Sequence, residues 1–548
     1  MRYGPKSLCS VATAAILFAT LSGCPKPPKP PVAVSDTAVV VRNFDADLTT
    51  RFSFARTVGQ ILTTAGIADN PANREALVHT MVLSFNANQF TNVVSGLPMA
   101  IAPRPGDAAV SAADLLNPAS PNGLRPIGLF NRLDLAPADW SDCGEHRIVY
   151  GTPPGGKRIF VIFEAKLPNP NPSAGKQGCR AVAQRWADVS TAPAVVQRNK
   201  LLDEFYYGNL PGFRSVVHFL NYGSFLGQVR TNILGQFPWQ LREFRVLPVA
   251  AGQLAFAPGP DASNPLASFY RNNPLGSPLE QSERTHFQAQ FAAAYLDNLR
   301  SVDAGAPAAV TDAEFRRTLM NALGAGFEFR SDEFQSDSQN GNETPAAVAG
   351  TAIKALIPLS WTAPAGPRTI TQAEMLNRAG AVTCGGCHGL SSGKPIGTFN
   401  GAPITWPNVA PGGFVHISEA VDGSGNHLIS EALEKFFIPF RQAVTADILN
   451  TTTAMIAPRQ GSETRLAALF LFQGQTQPPP APGPNGRGTA PTREQAENAA
   501  LNLARVQPQG LAPEDIGRAA AAVRRTSELA HAADQAAPGA YVTFRRPH

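Results

Sequence analysis

Two spacings of apolar residues alternate along the first half of the chain. Arg51 to Thr64 and Asn73 to Phe85 place them three and four positions apart, which predicts amphipathic helices. Arg158 to Leu167, R-I-F-V-I-F-E-A-K-L, is β-branched and aromatic and too short for an ordinary helix, so it predicts a strand. His146 to Tyr150, Gly227 to Leu234 and Gln240 to Val249 read the same way. Residues 36–302 are therefore expected to form a mixed domain of helices and strands, α+β in class.

From about Glu280 to Gln475 the spacing becomes mainly helical, and residues 303–474 are expected to form a helical region. Thr311-Asp-Ala-Glu314 and Thr371-Gln-Ala-Glu374 are capping boxes. In such a box the hydroxyl and the carboxylate each accept an N–H that the first helical turn leaves unpaired. Val310 with Phe315, and Ile370 with Met375, are spaced as hydrophobic staples. Between the boxes, Ser336 to Thr344 is a polar loop, and the second helix runs straight into Ala381-Val-Thr-Cys-Gly-Gly-Cys-His388. Residues 475–491 are a proline- and glycine-rich linker. Beyond it, Thr492 to Arg505 and Pro513 to Ala533 predict helices in a tail that spans 492–548. The chain contains no convincing internal repeat.

Composition changes this picture little. The chain has 548 residues, which argues for two domains plus tails. Its formal charge of +5, from 46 basic and 41 acidic residues, is too weak to argue for nucleic acid.

The first residues change it more. Arg2 and Lys6 precede an uncharged apolar run from Ser7 to Gly23, too short to cross a bilayer comfortably but of the size of a signal-peptide core. The run ends in Leu21-Ser22-Gly23-Cys24, which resembles the lipobox of bacterial lipoproteins. That resemblance implies removal of residues 1–23, a lipid on the Cys24 thiol and attachment to a membrane. The chain would then sit in the cell envelope, at the outer membrane facing the periplasm or at the cell surface. Residues 24–35 include P-K-P-P-K-P-P, an extended tether by composition.

Of six cysteines, Cys9 then lies in the removed segment and Cys24 carries lipid, leaving four in an oxidising compartment. A bridge between Cys143 and Cys179 would close a loop of 36 residues and stabilise the fold by about 3–4 kcal/mol on the chain-entropy estimate. Cys384 and Cys387 remain.

Three chemistries use such a close pair. Structural zinc needs four ligands, and no second short-spaced pair lies nearby. A thioredoxin-like pair sits at a helix start, where the dipole lowers a thiol pKa, whereas this one follows a helix end. Covalent haem uses all three residues: two thiols on the porphyrin vinyl groups and the adjoining imidazole on iron. Chance matches to Cys-x-x-Cys-His in a chain of this composition are expected on the order of one in a thousand.

The region from about 370 to 474 resembles a class I cytochrome c domain in three places. Thr371 to Thr383 resembles the helix leading into the motif, with Gly380 as its packing glycine. Met455, 67 residues beyond His388 and followed by Pro458, resembles the distal methionine. Glu463 to Phe472 resembles the closing helix. The resemblance implies one covalent haem c, tethered by Cys384 and Cys387, with His388 as proximal ligand. Met455 stands first as distal metal ligand and His416 is the alternative, with His427 or an open position behind them. Trp406, Phe414 and Pro403 are candidate pocket walls or plain core. Asp422, Ser424 and Asn426 alternate like calcium ligands but lack the closing glutamate, so a turn is expected.

The implied function is single-electron transfer with an unidentified redox partner protein. The alternatives are a surface binding or structural lipoprotein with a sensory or vestigial haem site, and an oxidoreductase whose α+β domain the haem serves. Asp134, Glu145, His146 and His218 could form a catalytic cluster in that domain, although buried polar residues satisfying a sheet are the simpler expectation.

Overall fold

The computed structural model describes residues 34–85, 89–91, 98–100, 109–137, 140–208, 210–223, 227–233, 240–250, 252–259, 360–362, 369–381, 391–399, 402–408 and 416–451, with the single residues 87 and 285. The chain enters through a 3-10 turn, Asp36–Ala38, and the short strand β1 (Val40–Val41). The helix read over Arg51 to Thr64 starts slightly later, as α2 (Phe54–Thr64), behind a separate short helix α1 (Ala46–Arg51). The cause is local. Asp45 accepts from Leu48 N at 2.8 Å and Ser53 from Arg56 N at 3.4 Å, so each side chain starts its own helix. Helix α3 (Pro71–Phe85) covers the second predicted helical stretch.

After the small hairpin β2 (Gln89–Thr91) and β3 (Pro98–Ala100) comes α4 (Ala112–Leu116). Then the main sheet begins: β4 (Arg125–Arg132), β5 (Asp142–Gly151) and β6 (Ile159–Pro168). Helices α5 (Arg180–Thr191), α6 (Val195–Tyr206) and α7 (Phe219–Gly223) intervene before β7 (Gly227–Ile233), β8 (Gln240–Ala250) and β9 (Gln253–Gly259). The seven strands lie in the order β1-β4-β5-β6-β7-β8-β9, every neighbouring pair antiparallel. Mixed α+β architecture is thus established.

Alternate residues of these strands meet the helices. Ile148 and Tyr150, Val161 and Phe163, Val229, Phe244 and Val246, and Leu254 and Phe256 share one core with residues of α2, α3, α5 and α6. Thr57 hydrogen-bonds both Tyr150 and Tyr207 at 2.6 Å, satisfying three buried hydroxyls at once. Cys143 at the start of β5 and Cys179 before α5 form a disulfide, with Cα atoms 5.4 Å apart. Between Cys143 and Glu145, Gly144 takes φ +72°, and a Cβ there would collide with the Arg132 carbonyl oxygen.

The later residues read as mainly helical contain strands as well. Among the described residues, β10 (Ser360–Thr362) pairs with β11 (Thr369–Thr371), ahead of α8 (Gln372–Ala381). Hairpins β12 (Pro395–Phe399) with β13 (Ala402–Thr405), and β14 (Ile417–Val421) with β15 (His427–Ile429), follow. A π-helical turn, Leu433–Phe437, then leads into α9 (Ile438–Asn450).

These last elements pack on the first ones. Ile448 and Leu449 belong to the core under the sheet. Lys176 meets Asp447 at 2.7 Å, Arg180 donates to Ile448 O at 3.0 Å, and Gln442 donates to Asp36 at 2.8 Å. At the β1 edge, His427 N donates to Arg42 O at 2.8 Å, and Arg158 pairs with Glu419 at 2.8 Å. Among the described residues no helix is long and apolar enough to cross a membrane.

Candidate functional site

Cys384, Cys387, His388, Met455, Cys24 and Phe414 lie outside the described residues. The segments that flank the cysteine motif are described, and they are firmly held. Upstream, the Thr371 hydroxyl accepts from Glu374 N at 3.2 Å while the Glu374 carboxylate accepts from Thr371 N at 2.7 Å, so the capping box opens α8 as read from the sequence. Along α8, Asn377 donates to Pro395 O at 2.7 Å, and the buried Arg378 donates to Ile396 O. Downstream, Ser391 Oγ returns to Asn377 O at 2.6 Å. Ala381 and Ser391, which border the motif, are thus both held at α8.

The downstream flank continues into an aromatic cluster. Gly393 N donates to Trp406 O at 3.1 Å and Trp406 N to Lys394 O at 2.9 Å, fixing the indole beside the strand that leaves the motif. Trp406 is fully buried against Phe436 and Phe437, with ring centroids 5.1 and 6.0 Å away. Both phenylalanines stand on the π-helical turn, whose wider winding commonly marks functional segments. The half-buried His416 meets Phe437 edge-on at 5.3 Å, and its carbonyl accepts from Ser430 N at 3.0 Å. Of the histidines proposed for the distal position, His416 thus belongs to the same local unit as Trp406.

His427 is differently placed. Its Nδ1–H donates to Ser418 O at 3.0 Å, which fixes the tautomer, and burial lowers its pKa. Asp422, Ser424 and Asn426 form a turn: Asp422 Oδ1 accepts from Ser424 N at 2.8 Å and Asn426 N at 3.0 Å. The Asn426 backbone N–H holds the Asp422 carboxyl below the usual range, and Arg42 stands 3.6 Å away. A guanidinium there disfavours a cation.

Of the four residues considered as a catalytic cluster, two are separated by the pleat of β5. His146 faces the helices, where Trp186 Nε1 donates to its Nδ1 at 3.3 Å and Phe205 meets its ring edge-on. Burial pushes its pKa down to about 3, so the ring is neutral. Glu145, next in the strand, points to the other face and pairs with Arg147 at 2.7 Å. Asp134 is clasped by Arg132 at 2.9 Å, with Arg441 of α9 at 3.7 Å. His218 accepts from Leu220 N at 3.2 Å, and burial lowers its pKa to about 4. Nothing aligns the four for acid–base chemistry.

The far face of the sheet carries a feature the sequence reading missed. Four successive strands repeat one pattern with period two: Glu145-His-Arg147, Glu164-Ala-Lys166, Gln228-Val-Arg230 and Glu243-Phe-Arg245. Antiparallel register sets acid against base, Glu145 opposite Lys166, Arg147 opposite Glu164, and Arg230 opposite Glu243. Arg147 bridges Glu145 and Glu164 at 2.7 and 3.1 Å, Arg230 bridges Glu164 and Glu243 at 3.6 and 3.4 Å, and Arg245 closes on Glu243 at 2.8 Å. Gln228 donates to Glu164, and Lys166 meets Asp142 at 3.8 Å. All of these residues are buried. The signal was available, since a strand with E-x-R at period two commits both charges to one face. Asp142, Glu145, Glu164 and Glu243 balance Arg147, Lys166, Arg230 and Arg245, so the ladder is neutral as a whole.

No family model, curated protein or solved structure matches the chain. Function therefore rests on the chemistry of its own residues. Among the described residues no group of three or more His, Cys, Asp or Glu could hold a metal ion. The two thiols and the imidazole of Cys384, Cys387 and His388 lie outside those residues. With Cys143 and Cys179 bridged to each other, that thiol pair has no competing disulfide partner in residues 34–208.

Proposed function

We propose that the protein is a membrane-anchored, monohaem c-type cytochrome-like lipoprotein that passes single electrons in the cell envelope. The observation that carries this reading is Cys384-Gly-Gly-Cys387-His388 in a chain whose first residues read as an export and lipidation signal. Each thiol would add its S–H across one vinyl double bond, forming a C–S bond and delivering the hydrogen to the neighbouring carbon. His388 would bind the iron through one ring nitrogen. Met455 is the first choice for a second protein ligand to the iron and His416 the alternative. Bound in this way, a haem supplies a one-electron couple, raised by a methionine ligand and lowered by a second histidine.

The chain's own contribution is to hold the motif and keep water away. The capping box, the Asn377 and Arg378 bonds to β12 and the Ser391 bond to α8 hold together the two described segments that border the motif in sequence. Trp406, Phe436 and Phe437 supply an apolar wall beside the downstream end. Electron transfer needs no acid or base from the protein.

The test is an absorption spectrum of the reduced protein in alkaline pyridine, after expression in the periplasm of cells that mature c-type cytochromes. A c-type haemochrome band that resists acid-acetone extraction is expected, and Cys384→Ala/Cys387→Ala should lose it. A folded, colourless parent protein would refute the reading and pass the function to the sheet domain.

A further inference from the structure

The helical hairpin of α5 and α6 ends in a tip unlike the rest of the described surface. From Val189 to Gln197 the chain carries no charge, and Thr191 and Pro193 to Gln197 are exposed. Val195 is 52% and Val196 70% accessible, two adjacent members of the four large apolar residues exposed among the described residues. The N-cap of α6 is Ala194, whose side chain offers no oxygen to the first N–H groups of the helix. In water an apolar cap is a poor choice, because those donors are left to solvent. At a boundary between acyl chains and headgroups both oddities fit: the valines enter the apolar phase and the N–H groups meet phosphate or ester oxygens.

The start of the chain runs along the same hairpin. The 3-10 turn Asp36–Ala38 packs against α5, and Asp45 pairs with Arg198 at 3.1 Å and accepts from Asn199 in the first turns of α6. Residues 24–35 span at most about 35–40 Å when extended, whereas each of the two 12-residue helices is about 18 Å long. A membrane that holds residue 24 is thus within reach of the tip.

We propose that the α5–α6 tip, centred on Val195 and Val196, is a membrane-contact surface that seats the protein on a lipid bilayer and sets its orientation there. This rests on the lipid-anchor reading given above. The flanking cations are already engaged, Arg198 with Asp45 and Lys200 with Glu204 at 3.8 Å. Seating is accordingly apolar, and it depends little on salt or anionic lipid.

The experiment uses the chain from residue 24 onward, coupled through the Cys24 thiol to a maleimide lipid in phosphatidylcholine vesicles. This places residue 24 at the surface whatever its natural modification. Val196→Trp and, as a control on another exposed valine, Val421→Trp are compared for fluorescence quenching by bromine-labelled acyl chains. Quenching specific to position 196 is expected. Adding Val195→Ser should lower that quenching. In the uncoupled chain, Val195→Ser/Val196→Ser should weaken vesicle partitioning on the order of tenfold. Equal quenching at both positions overturns the proposal, as does none at 196, including the case in which a second copy shields it and the eluted size doubles. The anchor reading is judged separately, by the mass of the native protein, which either includes acyl groups on Cys24 or does not.

Discussion

Phe163 and Glu164 are neighbours on the central strand β6, and they face two different interiors. Phe163 meets Phe54, Tyr150 and Tyr222 at 5.4–6.2 Å in a dry aromatic core beneath the helices. Glu164 lies on the opposite face, equally inaccessible, between Arg147 and Arg230. One face is held by non-directional burial, which tolerates any well-fitting apolar shape. The other is held by charges that have left water and must find partners in register. Stability and specificity are thus divided between the faces. The apolar face supplies most of the driving force, while the ladder penalises any slip of one residue that would set like charges together.

The largest expected effects separate the two directly. Phe163→Ala should lose about 3–5 kcal/mol by leaving a cavity. Glu164→Ala should lose a similar amount, about 3–5 kcal/mol, by taking from Arg147 and Arg230 the carboxylate they share and leaving one buried positive charge in excess. Urea denaturation measures both, and the second site separates the mechanisms. Adding Arg230→Met to Glu164→Leu, which leaves Glu145 with Arg147 and Glu243 with Arg245, should recover much of the Glu164 loss, as no charged substitution could at Phe163. Failure of that recovery would mean the ladder contributes net stability rather than register.

A smaller effect sharpens the contrast through pH. His146 titrates near 3 in the folded chain because burial disfavours its charged form, against about 6.5 when unfolded. Below pH 6.5 the unfolded state therefore binds a proton that the native state refuses. Stability present above 6.5 falls as the pH drops toward 3, by up to about 1.4 kcal/mol per unit. His146→Gln, which keeps an acceptor for Trp186, should flatten that acid slope in urea titrations run from pH 7 to 4. The smallest effect lies away from the sheet. Thr371→Ala removes the cap of α8 and should cost about 1 kcal/mol of local stability, read as faster amide exchange in α8 with little change in the sheet.

The same contrast explains what could be read in advance. Strands β5 to β8 were legible because Ile159 to Leu167 and its neighbours are β-branched and aromatic, and helices α2 and α3 because their apolar residues recur at helical spacing. The start of α2 at Phe54 rather than Arg51 was missed because the Ser53 cap outweighed a continuous apolar pattern. Helices α5 and α6 were not anticipated at all. The hairpins after residue 360 were illegible for another reason. Pro395-Ile-Gly-Thr-Phe399 and Ala402-Pro-Ile-Thr405 have weak strand propensity, and bonds from Asn377 and Arg378 to the carbonyls of β12 support them. At the candidate site, the motif and its capped helix were legible from local spacing. The association of Trp406, Phe437 and His416 depends on a π-helical turn that no periodicity announces.

The closing of the core by α9 has a consequence for the order in which the chain can be made. Asp36 and Gln442 bond across a separation of 406 residues, and Ile448 and Leu449 fill a socket whose other walls were synthesised long before. A loop of that length is entropically cheap to close, since each doubling adds only about 0.6 kcal/mol, but it cannot close early. During synthesis the sheet and its helices must wait, with their last apolar contacts unmade, until α9 emerges. In that order of synthesis α9 is the latch whose arrival ends the wait.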